Sequence, residues 1–255
     1  MSGRHHRAPA LVADRAWDAH LALHRLFEAH LEALYGSAPW AALIRAIDLR
    51  EQLFAHIRFE EDGVVPRIAD REVRSQVLRD HGLLREASKR LEEAALLAAF
   101  GRIDELRLRQ RLVELDRLLD HHDDREARDV YGTLGEVLDE GGRGELLTGL
   151  AATSSAEPLV EVVVEGVLTH PTVQALAARY RAWLVGEPLP TEVPMPTLPA
   201  TLAATLAKLL ARDERAVAAM RDAEGIRERA RREMLAEVAL RSSLVMVVEA
   251  LIRAS

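Results

Sequence analysis

One short pattern occurs twice in this chain and constrains its fold more than any other feature. The segment His56-Ile57-Arg58-Phe59-Glu60-Glu61-Asp62-Gly63-Val64-Val65-Pro66 is echoed by His122-Asp123-Asp124-Arg125-Glu126-Ala127-Arg128-Asp129-Val130-Tyr131-Gly132. In each copy a histidine precedes a glutamate by four residues, and an apolar pair and a helix-stopping residue follow. On an α-helix, positions i and i+4 stack on one face, one turn apart. Each segment is therefore expected to be helical and to present an imidazole beside a carboxylate. Such a pair can grip one metal ion or contribute to a close pair of ions. A single HxxxE arises often by chance, whereas two copies with matching flanks form a repeat.

Around this repeat the chain reads as four helices with short links. The first spans about 13–35 and stops at Gly36-Ser37 before Pro39, with Trp17, His20, His24, Phe27, Leu31 and Leu34 on one stripe. The second runs from about Pro39 to Gly63 or Val65, ended by Pro66. The third opens near Asp70 and stops at Gly101. The fourth begins near Ile103 and extends to about Leu138, with a break near Gly132, before Gly141-Gly142-Arg143-Gly144. Four helices so linked form an up-down-up-down bundle.

That topology sets the height of each side chain, because antiparallel neighbours are level when equally far from their shared turn, at ~1.5 Å rise per residue. His56 lies ten residues before Pro66 and His81 ten after Arg71; His81 lies 20 before Gly101 and His122 21 after it. His20 is 16 before Gly36, while His56 is 17 after Pro39. The expected inner shell is therefore His20, His56, Glu60, His81, His122 and Glu126, with His24 as an extra or substitute ligand. His121 is the alternative to His122. Against this stands a plainer account, in which the histidines are core residues and Glu60 and Glu126 pair with Arg58 and Arg128 on the surface. Six donors at one level would then leave several buried polar groups without a common partner, which is costly. His5 and His6 in a disordered leader (1–12), His30 and His170 are read as having no ligand role. His170 precedes Pro171 and is read as a helix-start residue.

Composition agrees with an all-α fold. Leu, Ala, Arg and Glu are abundant, and no run of alternating β-branched residues occurs. The net charge is −7, and residues 151–255 contribute −1 of it, with 12 Arg/Lys against 13 Asp/Glu. No basic footprint for nucleic acid is visible. Zero cysteines exclude disulfides, thiolate catalysis and cysteine-based metal sites. Met1 to Pro9 lacks the apolar stretch of a signal peptide, and the apolar run Leu244–Val248 is too short to span a bilayer. A cytoplasmic protein without membrane contact is expected.

The second half carries less chemistry. After a metal-binding bundle over 13–145, residues 146–157 read as a linker and 158–255 as a helical domain. Its helices are expected over about Pro158–Leu168, Pro171–Val185, Pro199–Ala211 and Glu214–Arg253, with a semi-rigid proline-rich linker at 187–199. Val217, Met220, Ile226, Met234, Val238 and Val248 form an apolar side at the end of the chain. Such a stripe packs within its own chain in the first instance; a homodimer or a protein partner on the C-terminal helices is the alternative.

Taken together, His20-x-x-Leu23-x-x-Leu26-Phe27, His56-x-x-x-Glu60-Glu61 with Val65-Pro66, Asp80-His81-x-x-Leu84, and His122-x-x-x-Glu126 with Val130-Tyr131 resemble the hemerythrin-like, or HHE cation-binding, family over about residues 13–140. The resemblance implies a four-helix bundle holding two irons, with Glu60 and Glu126 bridging and the four histidines as terminal ligands. Mixed imidazole and carboxylate donors suit iron and also admit zinc or manganese. The oxygen-carrying members have a second histidine one turn after the helix-3 histidine, where this chain has Arg85, which argues against simple reversible oxygen carriage. Gly132 stands where a proline is expected. The resemblance implies a di-iron protein that binds or senses oxygen, nitric oxide, peroxide or iron. The alternatives are an enzyme acting on oxygen or peroxide, with Tyr131 as proton donor, and a metal-free helical interaction protein.

Overall fold

The computed structural model describes residues 39–131, 138–154, 159–195 and 197–255, together with positions 18, 25 and 29. Asp18, Arg25 and Ala29 of the first expected helix are helical; its other residues, His20, His24 and His30 among them, lie outside the described residues, as do the leader histidines and Gly132. Among the described residues the chain is all-helical, and it divides into two compact units, one ending at Leu159 and one spanning Val160–Ser255.

In the first unit, α1 (Pro39–Phe59) is apolar on most of its circumference and buries Leu43, Ile44, Ile47, Leu49, Leu53 and Ile57, as a central helix does. It continues without a break into a π-helical turn, Glu60–Val64, and then a 3-10 turn, Val65–Arg67, that contains Pro66. Helix α2 (Arg71–Ala99) starts where Asp70 accepts from the backbone N–H groups of Glu72 and Val73, at 2.7 and 3.2 Å. It ends where Arg102 N–H reaches Leu97 O and Gly101 N–H reaches Ala98 O, a closure that needs the left-handed φ of +66° at Gly101. Helix α3 (Glu105–Arg125) is capped by Asp104 and passes into a second π-helical segment, Glu126–Tyr131.

The inward stripes of α2 and α3 explain how the site is mounted. Val77, His81, Leu84, Leu91 and Ala95 face inward from α2, and Leu108, Leu112, Leu115, Leu119 and His122 from α3. Each histidine occupies a position that a leucine would otherwise take. Below the site, Val64, Val65, Ile68, Val77, Val130, Tyr131, Leu138 and Leu146 form one apolar cluster, with Phe59, Val73 and Leu147 against it.

Residues 146–157, read from the sequence as a linker, are helical as far as Ser154, because α4 (Glu140–Ser154) runs through the glycines at 141, 142 and 144. Burial of Leu146 in the cluster and the seating of Gly149 on the Phe59 ring anchor this helix despite its weak propensity. At the end of the unit, Arg45 Nη1 donates to Leu159 O at 2.8 Å, and the buried Asp48 carboxylate accepts from the Leu159 backbone and from Gln52.

The second unit contains α5 (Glu161–Thr169), α6 (Pro171–Val185), α7 (Ala200–Arg221) and α8 (Ile226–Ala254). His170 caps α6, accepting from Thr172 N–H at 3.3 Å, the helix-start role expected of it. The proline-rich segment is pinned by side chains of α6: Arg179 donates to Pro190 O and Thr172 to Pro194 O. The expected break between Ala211 and Glu214 is not there. Helix α7 continues to Arg221, and the turn falls at Gly225, whose φ is +80°. The buried Asp213 accepts from Ser243 Oγ at 2.6 Å, which ties α7 to α8 at the position where the break is expected, while Glu214 and Arg215 stay exposed. The apolar side of α8 also differs from the expectation. Ile226, Met234 and Val238 are exposed, while Ala236, Leu240, Ser243, Leu244 and Val247 face inward with Val248. No helix among the described residues is long and apolar enough to cross a membrane.

Candidate metal centre

Each HxxxE pair straddles the junction between an α-helix and a π-helical turn. His56 sits in the last turn of α1 and Glu60 opens the π segment; His122 and Glu126 repeat the arrangement on α3. In the first copy the Val65 N–H bonds to Glu60 O, an i to i+5 step that widens the turn and re-aims the side chains on it. π-Turns inside longer helices occur frequently at functional sites. Here both copies carry one at the same place relative to the glutamate.

The side chains converge. His56 Nε2 lies 3.0 Å from Glu60 Oε1, and His122 Nε2 lies 3.6 Å from both Glu60 Oε2 and Glu126 Oε2. Donor atoms of His56, Glu60, His122 and Glu126 all fall within 4.8 Å of one another. His81 joins from α2, its Nε2 3.2 Å from Glu60 Oε2 and 4.0 Å from Glu126 Oε1, and its ring meets that of His122 edge to face at 5.1 Å. All five residues are at most 1% exposed. Three imidazoles and two carboxylates thus share one dry space, contributed by three helices. His121, the alternative to His122, is on the surface against Arg125. Glu60 and Glu126 are inside and not in the surface pairs considered for them: Arg58 is exposed, and Arg128 pairs with Asp129.

The donor chemistry of this space suits a cation. Leaving carboxylates in a dry interior costs several kcal/mol each unless positive charge compensates them. Among the described residues, Arg125 pairs with Asp80 at 3.1 Å, and Arg85 with Glu61 through two contacts of 2.6 Å. The Arg85 hydrogen bonds, ahead of all other effects, hold the Glu61 carboxyl below its usual range. His81 Nε2 is buried and makes no hydrogen bond, although two carboxylates flank it. A ring nitrogen in that position is suited to bind a metal ion through its lone pair.

No protein-family model, curated protein or solved structure matches this chain. What can be said of the centre therefore comes from its own donors, a buried His/Glu group that could hold a metal ion.

Tyr131 completes the site. Its hydroxyl donates to Glu60 Oε1 at 2.8 Å inside the protein. Burial first, then the Glu60 and Glu126 carboxylates, push its pKa well above the ordinary tyrosine value, so the phenol keeps its proton. Sequence reasoning placed Tyr131 in the motif as a proton donor but not against Glu60. The Glu61–Arg85 pair was missed altogether; its one legible signal is that Arg85 follows His81 by a single helical turn.

Proposed function

We propose that the N-terminal unit is a hemerythrin-like, non-haem di-iron protein that binds or senses oxygen, nitric oxide, peroxide or iron. The observation that carries this reading is the convergence of His56, Glu60, His81, His122 and Glu126 in one water-excluded space. Two carboxylates between imidazoles are a donor set that iron favours and that zinc or manganese also accepts. In this reading Glu60 and Glu126, with His56, His81 and His122, would hold the metal. Iron bound there would supply redox chemistry and open positions for a small ligand. The chain itself contributes the dry pocket, the fixed donor geometry and the protonated phenol of Tyr131.

The test is purification with iron, followed by metal analysis and the absorption spectrum. About two irons per chain, as a dinuclear centre requires, with oxo-bridge absorption is the expected result. Absence of bound iron, zinc and manganese would leave a metal-free helical protein instead.

A second reading, an enzyme that turns over oxygen or peroxide, is favoured by one observation: Tyr131 holds a hydroxyl proton against the Glu60 carboxylate. Sustained consumption of oxygen or peroxide by the iron-loaded protein would select it over stoichiometric binding.

A further inference from the structure

We infer that Glu61, held by Arg85, is a positioning residue that fixes His81 as its Nδ1–H tautomer and so presents Nε2 to the Glu60 and Glu126 carboxylates; the inference rests on the metal-centre reading above.

The two sides of the His81 ring face different carboxylates. Nδ1 lies 3.2 Å from Glu61 Oε1, while Nε2 lies 3.2 Å from Glu60 Oε2 and 4.0 Å from Glu126 Oε1. A neutral imidazole carries one N–H donor and one lone pair, and an ionised carboxylate can only accept. The nitrogen facing Glu61 is the one with a hydrogen-bond contact, and the nitrogen facing Glu60 and Glu126 has none. The proton therefore belongs on Nδ1 and the lone pair on Nε2. That is the arrangement by which a carboxylate behind a ligating histidine sets its tautomer, its ring angle and its basicity.

Glu61 is itself locked. Arg85 Nη1 and Nη2 donate to its two oxygens, each at 2.6 Å, in a fork that matches the carboxylate plane. Arg85 stands one turn after His81 on α2, so the helix that carries the imidazole also carries the clamp on its partner. On the other side of His81, Asp80 pairs with Arg125 of α3 at 3.1 Å. These two ties bracket the ring between the π segment after α1 and the end of α3.

Glu61 is not itself a donor to the centre, although it adjoins Glu60. Its oxygens are occupied by Arg85 and by the Nδ1 edge of His81, and the ring stands between it and the Glu60–Glu126 space. Its side chain and that of Arg85 keep 26% and 29% of their surface, so changing either opens no cavity in the core.

The test compares the full-length protein with Glu61→Ala and Glu61→Gln. In metal-free, 15N-labelled protein, long-range proton–nitrogen correlation of the imidazoles reads the His81 tautomer directly. The wild type and Glu61→Gln, which keeps an acceptor for Nδ1–H, are expected to show the single Nδ1–H form, and Glu61→Ala a mixture. Titration with Co(II) against a chelator is expected to show roughly 10- to 100-fold weaker binding in Glu61→Ala, with Glu61→Gln recovering most of the loss. An unchanged His81 tautomer in Glu61→Ala, or an unchanged Co(II) affinity, overturns the inference. If the wild type binds no Co(II), the metal-centre reading falls, while the nitrogen shifts still decide whether Glu61 sets the ring.

Discussion

Tyr131 donates its hydroxyl proton to Oε1 of Glu60 at 2.8 Å, joining through a buried hydrogen bond two residues that stand 71 apart in sequence. The bond closes one HxxxE segment onto the other, because Tyr131 ends the π turn that begins with Glu126. Removing it with Tyr131→Phe leaves a buried carboxylate oxygen without that donor. The metal-free variant is expected to lose about 1–3 kcal/mol in urea unfolding, with helicity unchanged. A loss well under 1 kcal/mol would mean that the bond does not hold the two segments together.

His121 and His122 are adjacent but face opposite environments, solvent and the centre respectively. His122→Ala is expected to weaken iron binding sharply, and His121→Ala to leave it within about twofold, since surface substitutions rarely perturb a buried site. Metal content after desalting distinguishes the two, and equal losses in both variants would contradict the placement of His122.

Asp48 makes stability depend on pH from a position away from the centre. Burial raises its pKa from 3.8 to about 6, against the opposing hydrogen bonds of Gln52 and Leu159 and the charge of Arg45. The folded state therefore holds this proton more tightly than the unfolded chain. Its contribution falls as pH rises from about 3.8 to about 6 and is level above. Asp48→Asn is expected to remove that fall. Relative to wild type, the variant should gain up to ~3 kcal/mol between pH 3.5 and pH 7, the value of two pKa units. Denaturant melts at the two pH values check it, and a constant difference would refute the burial account.

Gly149 lies against the Phe59 ring so closely that a methyl group on it would overlap the ring. Phe59 directly precedes Glu60, so α4 reaches the centre through this contact. Gly149→Ala is expected to cost about 1–3 kcal/mol through overpacking and to weaken metal binding as Phe59 shifts. Thermal melts and chelator competition measure both; a stabilised variant with unchanged affinity would show that the ring moves freely.

The helices of the first unit were legible because their ends carry local chemistry. Asp70, Asp104 and Gly101 mark boundaries through caps that need no distant partner. The histidines were legible because the HxxxE pattern occurs twice and because His56, His81 and His122 lie nearly equally far from their shared turns. The π turns were not, since nothing in Glu60–Val64 or Glu126–Tyr131 distinguishes an i to i+5 bond from an ordinary helical turn. Arg212-Asp213-Glu214-Arg215 looked like a helix end, yet Asp213 is buried against Ser243, 30 residues away. Similarly, Met234 and Val238 read as core, but the packing face of α8 combines small residues, Ala236, Ala239 and Ser243, with Leu240, Leu244, Val247 and Val248. Where a residue's role depends on a long-range partner, as with Glu61 and Arg85, the sequence offers only spacing.

The central claim is that Glu60 and Glu126 hold metal inside the bundle. Iron per chain, measured for wild type, Glu60→Ala and Glu126→Ala after identical loading and desalting, tests it most directly. The account predicts about two irons in the wild type, as a two-metal site requires, and loss of iron in each variant with helicity retained. Full iron occupancy in both variants would contradict it.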